Sequence, residues 1–293
     1  MAIQTVGIIS KPRKQNLAEI IPPLTAWLRE RGIAAILDRE TAASLDPSLR
    51  SQINCPVIAR SDMGARCEMV LVLGGDGTLL AAARAVRQSN VPILAVNLGN
   101  LGFLTAVTMG ELYVSLEQIL NGQHQVEQRK MLQIQVIRGE EEAACYHALN
   151  DAVMNKGAIS RILDFETRVD GRFLNLFKAD GLIVSTPTGS TAYCLAAGGP
   201  IVHPAVDAFI ITPICSHTLS NRPLVVADRS VIEIVVRTEA ESVFLTVDGQ
   251  VGLALHADDR VRCSLSDSRI HLIRPPHKDF YEVLRSKLKW GER

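Results

Sequence analysis

The sequence predicts an α/β N-terminal domain with a parallel sheet, followed by a β-rich, sandwich-like C-terminal domain. Three observations predict it. Over the first 125 residues, unbroken apolar runs alternate with helical patterns, as strands do when helices cover both faces of their sheet. From about Leu132 the period drops to two, as in "LQIQVIR", the pattern of half-buried antiparallel strands. Asp170-Gly171 then stands between the strand-like runs of "FETRVDGRFLNLF", and Asp-Gly is a hairpin turn signal.

In chain order, "TVGIIS" is the first strand, and Leu17, Ile20, Ile21, Leu24 and Leu28 then recur at helical spacing until Gly32. Pro22 and Pro23 interrupt the early part of that helix, because proline lacks the amide donor that a helix interior uses. "AAILD", "MVLVL" and "PILAVN" are three further strands, with a helix over 79–87 before the last of them. "VIEIVVR", "VFLTVDGQ", "RVRCSL" and "RIHLIR" carry the strand-and-turn pattern to residue 274. After Pro275-Pro276, "FYEVLRSKLKW" reads as a closing helix with Tyr281, Leu284 and Leu288 on one face. The expected domains are 1–125 and 126–275, with a helix in 276–293 that packs back on the first.

With 293 residues, 47% of them hydrophobic, the chain can fill two ordinary cores. Lys plus Arg and Asp plus Glu number 31 each. No cationic excess is left to neutralise phosphates, which argues against nucleic acid or an anionic membrane as a partner. The N-terminus puts a short apolar run before its positive charges, the reverse of a secretory signal. No uninterrupted apolar run reaches the roughly 18 residues of a membrane span. Cys55, Cys67, Cys145, Cys194, Cys215 and Cys263 form no C-x-x-C pair and read as buried thiols of a reducing cytoplasm.

Several familiar sites are missing: G-x-x-x-x-G-K-[ST], G-x-S-x-G and H-E-x-x-H do not occur, and the seven histidines lack ligand spacing. No transition-metal site built by the protein is expected. The chemistry concentrates elsewhere. Gly74, Gly75, Asp76 and Gly77 end the "MVLVL" run, and "NLGNLGFL" follows "PILAV" in the same way. In parallel sheets ligands bind beyond such strand ends. Asp76 is there either to cap the next helix or to face a bound hydroxyl, taking its proton as it attacks phosphorus. Glycine would permit a positive φ or a close backbone approach.

"ADGLIVSTPTGSTAY" carries six hydroxyl side chains. They form a turn capping a short helix at 192–197, or a polar surface for an anionic ligand with ribose edges. Asn150 and Asp151 in "ALNDAV" mark a turn, or else offer an adenine edge its donor and acceptor and two ribose hydroxyls a carboxylate. "TVDGQ" reads as hairpin chemistry at Asp248-Gly249 with Gln250 on the surface. Lys11 to Lys14 is a solvated basic loop or a contact for phosphates.

"GGDGT", "NLGNLGFLT", "NDAV", "KADGLIVSTPTGSTAYCLAAGGPIVHP", "PICSHTLSNRPLVV" and "VDGQ" together resemble the NAD kinase family, in the family's order and over nearly the whole chain. The overall length resembles the bacterial form. "GGDG" alone is shared with diacylglycerol and sphingosine kinases and phosphofructokinases; the long "DGLIVSTPTGSTAY" segment makes the resemblance specific. It implies NAD bound between two domains and transfer of the ATP γ-phosphoryl group to the 2′-hydroxyl of the adenosine ribose, giving NADP. It also implies Mg²⁺ as a cofactor, held mainly by substrate oxygens.

By the same resemblance, Asp76 is the proton acceptor and Gly77 the neighbouring backbone contact. Asn150 and Asp151 bind the adenosine half, where the family often has Glu at the second position. Arg161 corresponds to a substrate contact that varies in the family. Lys178 and Asp180 meet the dinucleotide, Asp180 toward the nicotinamide, and a basic residue at 178 resembles members that prefer NAD to NADH. Thr191, Ala192, Tyr193, Cys194, Leu195 and Ala196 form a wall along the substrate. Gln250 reaches a neighbouring subunit's site in a homo-oligomer, a dimer or tetramer. Two other functions remain open at this point, a GGDG-type lipid kinase and a non-catalytic dinucleotide-binding sensor. The first needs an apolar acceptor cleft or a membrane-facing basic patch, and neither is evident. The second gives Asp76 no task.

Overall fold

The computed structural model describes residues 3–11, 16–99, 102–105, 107–157, 162–238, 243–276 and 279–291. Arg161 and most of the basic stretch after the first strand, residues 12–14, lie outside the described residues. The chain forms two compact units, one of Met1–Gln128 with Arg269–Arg293 and one of Arg129–Ser268.

The first unit is built on parallel strands: β1 (Thr5–Ser10), β2 (Ala34–Asp38), β3 (Val57–Ile58), β4 (Met69–Leu73) and β5 (Pro92–Asn97). Their order is β5-β4-β1-β2-β3, and residues 271–272 near the chain's end pair in parallel beyond β5. All five residues of β4 are buried, as an all-apolar strand covered on both faces requires. The helix Leu17–Glu30 runs straight through Pro22 and Pro23, contrary to the interruption expected there. Leu17, Ile21, Leu24 and Leu28 are essentially fully buried, and that packing outweighs two missing amide donors. The closing helix, Phe280–Leu288, buries Val283 and Leu284 and leaves Tyr281 57% exposed. Tyr281 lies beside Phe280, with ring centroids 5.7 Å apart. The helix belongs to the first unit, and the Lys287 ammonium stands 5.7 Å from the Phe103 ring centroid.

The second unit is a sandwich of mostly antiparallel sheets. One sheet has the order Leu224–Ala227, Ala208–Ile214, Gly181–Ser185, Asp151–Lys156, Val243–Val247, Val251–Leu255. Facing it are Leu163–Val169, Arg172–Ala179, Ile232–Val236 and the start of Arg260–Arg274, with Gln125–Arg138 and Glu141–Ala148 paired alongside. Alternate residues of both layers share one core, among them Leu132, Ile134, Met154, Phe165, Leu182, Phe209 and Ile234. Asp170 (φ 51°) and Gly171 (φ 76°) close the hairpin predicted there. Cys67, Cys194 and Cys263 are buried, but Cys145 and Cys215 are exposed and Cys55 is half-buried, so only three of the six match the expected buried thiols.

Candidate active site

Each unit carries one dense polar constellation. In the first, β4 ends at Leu73 and the helix Asp76–Val86 begins three residues later, with Gly75 as its N-cap and no side-chain cap. Asp76 is therefore the first helical residue rather than the cap. None of Gly74, Gly75 and Gly77 has a positive φ; an added Cβ on Gly74 would meet Thr78 Oγ1 at 2.3 Å, whereas one on Gly75 would meet open space.

The Asp76 carboxylate reaches the loop after β5. Its Oδ2 accepts from Phe103 N (2.9 Å), and its Oδ1 accepts from Leu104 N (3.2 Å), Thr105 N (3.0 Å) and Thr105 Oγ1 (2.8 Å). Asn97 Nδ2 in turn donates to Thr105 Oγ1 at 2.7 Å. A Cβ on Gly102 would lie 2.0 Å from Asp76 Oδ1, so only glycine lets the loop wrap the carboxylate. A carboxylate offers about four acceptor sites over its two oxygens. Among the described residues Oδ1 accepts three hydrogen bonds and Oδ2 one.

The second constellation lies at the corner before the strand Asp151–Lys156. A pocket of about 260 Å³ opens there, lined by Asn150, Asp151, Val153, Asn155, Ala192, Tyr193, Thr246, Asp248 and Gly249. Its walls meet through backbone contacts. Thr186 N donates to Asn150 O (2.9 Å), Thr186 Oγ1 to Leu149 O (2.6 Å) and Asp248 N to Asp151 O (3.0 Å). The hydroxyl-rich stretch forms a 3₁₀ turn, Thr188–Thr191, and then the short helix Tyr193–Ala196. Gly189 is pressed against Asn150, where an added Cβ would meet Asn150 O at 2.2 Å.

Asn150 is 8% exposed and its buried Oδ1 has no hydrogen-bond partner. A buried unpaired acceptor costs on the order of 1–3 kcal/mol, which a ligand N–H would recover. Asp151 (4% exposed) and Asp248 (6% exposed) are two buried carboxylates of one pocket. Burial, and then the Asp248 charge, push the Asp151 carboxyl up to about 7.

Of the residues singled out in the sequence, Asn150, Asp151, Ala192 and Tyr193 come together in this pocket. Tyr193 is its large exposed face, at 43%. Cys194 departs from the expected wall, since its side chain is fully buried and its Sγ lies 3.3 Å from Thr212 Oγ1. Helical geometry turns it inward from its neighbours Tyr193 and Leu195. Thr191, Leu195, Ala196 and Gln250 stand outside the pocket lining, and Gln250 is exposed. Lys178 is exposed, 4.0 Å from the Asp164 carboxylate, while Asp180 pairs with Lys156 at 2.6 Å. By sequence alone Asp248 is plain turn chemistry before Gly249. Its burial beside Asp151 has no local signal, because nearly a hundred residues separate the two.

Two family models match the chain: the ATP-NAD kinase N-terminal domain over residues 6–124 and the ATP-NAD kinase C-terminal domain over residues 149–275. The NAD kinase of Solibacter usitatus is 50% identical over 291 residues, covering 99% of each chain. That of Geotalea daltonii is 47% identical over 292 residues, covering 99% of this chain and all 100% of its own. Among solved structures, yeast NADH kinase complexed with NADH superposes with a TM-score of 0.88 at 27% identity, over 100% of this chain and 89% of that one. An NAD kinase from Archaeoglobus fulgidus in complex with ATP shares the fold, with a TM-score of 0.75 at 21% identity over 97% and 98% of the two chains.

The Asp151 carboxyl has a measurable signature. The folded chain holds its proton up to about pH 7, whereas an unfolded Asp releases it near pH ~4. The contribution to stability is full below about pH 4 and is lost as the pH rises through about 7. In urea unfolding, the parent should lose stability relative to Asp151→Asn as the pH is raised across that window. A difference that does not vary with pH would show that this carboxyl titrates normally.

Proposed function

The chain belongs to the NAD kinase family, and we propose that it moves the γ-phosphoryl group of ATP onto the 2′-hydroxyl of NAD's adenosine ribose, giving NADP. The observation that carries the assignment of roles is the Asp76 carboxylate. Among the described residues its Oδ1 accepts three hydrogen bonds from the 102–105 loop and its Oδ2 accepts one. A ribose hydroxyl is a poor nucleophile until its proton has somewhere to go, and Oδ2 takes it. Gly77, exposed at the start of the same helix, lets substrate approach the backbone.

In the second unit, Asn150 presents its unpaired Oδ1 to an N–H of the adenosine half, and Asp151 takes ribose hydroxyls in the same pocket. The backbone of Thr191–Ala196 and the Tyr193 ring line the dinucleotide. Lys178 and Asp180 meet the dinucleotide, Asp180 toward its nicotinamide, and the resemblance of a basic residue at 178 to members that prefer NAD supports NAD over NADH. Gln250 and Arg161 complete the contacts.

Among the described residues no group of three His, Cys, Asp or Glu is placed to hold a metal ion. Mg²⁺ arrives on ATP in this reading, since this ion sheds water reluctantly and is usually bound through phosphates and one or two carboxylates. Bound there, it neutralises the phosphate oxygens during transfer.

We place the protein in the cytoplasm; no helix among the described residues is long and apolar enough to cross a membrane. It acts as a homo-oligomer, a dimer or tetramer. Phe173 and Leu176, 61% and 40% exposed on the edge strand Arg172–Ala179, support that assembly, because an apolar sheet edge is a ready docking surface. Light scattering should report two or four chains per particle, and Phe173→Glu should lower that number. A monomeric parent would remove the assembly from this reading.

A coupled assay with NAD, Mg-ATP and an NADP-dependent dehydrogenase tests the activity itself. Asp76→Asn keeps the size and one carbonyl oxygen but removes the base. Turnover should fall by about 10²–10⁴-fold while NAD affinity changes little; near-normal turnover would leave Asp76 as a loop anchor only. Asn150→Ala should raise the Michaelis constant for NAD far more than that for ATP, by an amount worth about 1–3 kcal/mol. Equal weakening for both substrates would make Asn150 a structural turn residue.

A further inference from the structure

We propose that Asp248 is a positioning residue for NAD, acting through the Leu149–Asn150–Asp151 corner that its carboxylate holds. The proposal rests on the reading that Asn150 and Asp151 bind the adenosine half. Asp248 Oδ1 accepts from Asn150 N (2.8 Å) and Asp151 N (3.3 Å), and Oδ2 accepts from Leu149 N (3.2 Å). Three successive amides thus converge on one side chain from another hairpin. The first two precede the strand Asp151–Lys156 and the third opens it; the first ladder pair is Asp151 with Ser185, so Leu149 and Asn150 have no strand partner for their amides. Unpaired and buried, those amides would each carry a desolvation cost.

The identity of residue 248 supports this role. Asp248 (φ 51°) and Gly249 (φ 65°) occupy the turn between Val243–Val247 and Val251–Leu255. Asn is at least as good as Asp at such a positive-φ position before glycine. It would also avoid placing a second carboxylate beside the buried Asp151. An Asn amide, however, would turn an N–H toward one of the three converging donors. A carboxylate is the turn residue here that offers acceptors on both oxygens.

The groups facing Asp151 among the described residues are few. Asp248 stands on the hairpin turn, Cys194 on the short helix with its thiol raised by burial and by Asp151 itself, against the Thr212 hydrogen bond. Ser185, opposite in the ladder, is neutral, and Tyr193 lines the same pocket. Asp248 is the one charged neighbour whose removal lowers the Asp151 midpoint without altering its burial.

The test is Asp248→Asn, read by steady-state kinetics for both substrates and by NAD binding in calorimetry across pH 5–9. The Michaelis constant for NAD should rise on the order of tenfold, the size of one mispositioned buried hydrogen bond, with that for ATP within about twofold. In the parent, NAD affinity should change with a midpoint of about 7; in the variant that midpoint should move down, and Asp151→Asn should abolish it. Simple loss of stability would weaken both substrates and leave the midpoint in place, which would overturn the proposal. An unchanged NAD constant with an unchanged midpoint would overturn it as well. Should Asp248→Asn fail to fold, Asp248→Glu carries the test: it keeps the charge, so the midpoint should stay near 7 while the shifted corner raises the NAD constant, and an unaltered NAD constant overturns the proposal. A parent that binds no NAD would sink the underlying reading instead, so the two failures are distinct.

Discussion

One interaction recurs in both units, and the polar constellations depend on it: an aspartate carboxylate that gathers three successive backbone amides from a distant segment. Asp76 collects Phe103, Leu104 and Thr105, and Asp248 collects Leu149, Asn150 and Asp151. In each case a segment leaving or entering a strand has amides that no ladder satisfies. The carboxylate meets them with charge-assisted hydrogen bonds, which are roughly twice as strong as neutral ones.

The two anchors differ in what they leave free. Asp76 is partly exposed, and its Oδ2 accepts one hydrogen bond among the described residues. Asp248 is buried beside a second carboxylate, and that pairing contributes to the elevated Asp151 carboxyl. Near neutral pH Asp151 therefore offers either an acceptor or a donor to a hydroxyl. Packing of small residues supports both arrangements: Gly102 against Asp76 and Gly189 against Asn150 leave no room for a methyl group.

Strand texture made the architecture legible. Apolar runs such as "MVLVL" and the period-two runs after Leu132 became parallel and antiparallel strands because burial on two faces or on one dictates those patterns. The helix Leu17–Glu30 was misjudged at Pro22 and Pro23 because a local rule about missing amides competes with the burial of four large side chains, which only the folded core supplies. In the closing helix, spacing puts Tyr281, Leu284 and Leu288 on one face, and the neighbouring surface selects Val283 and Leu284 for burial.

The sequence by itself determined the residue types at the sites and the family they belong to. A glycine-flanked aspartate at a strand end and a hydroxyl-rich loop after a buried strand are local patterns with chemical consequences. Tertiary structure decided what those groups do to one another. That Asp76 holds a loop 27 to 29 residues away, that Cys194 turns into the core, and that Asp248 meets Asp151 all depend on chain crossings. Hydrogen-bond partners and electrostatic neighbours are set by distance in space, and no local window of sequence contains that distance.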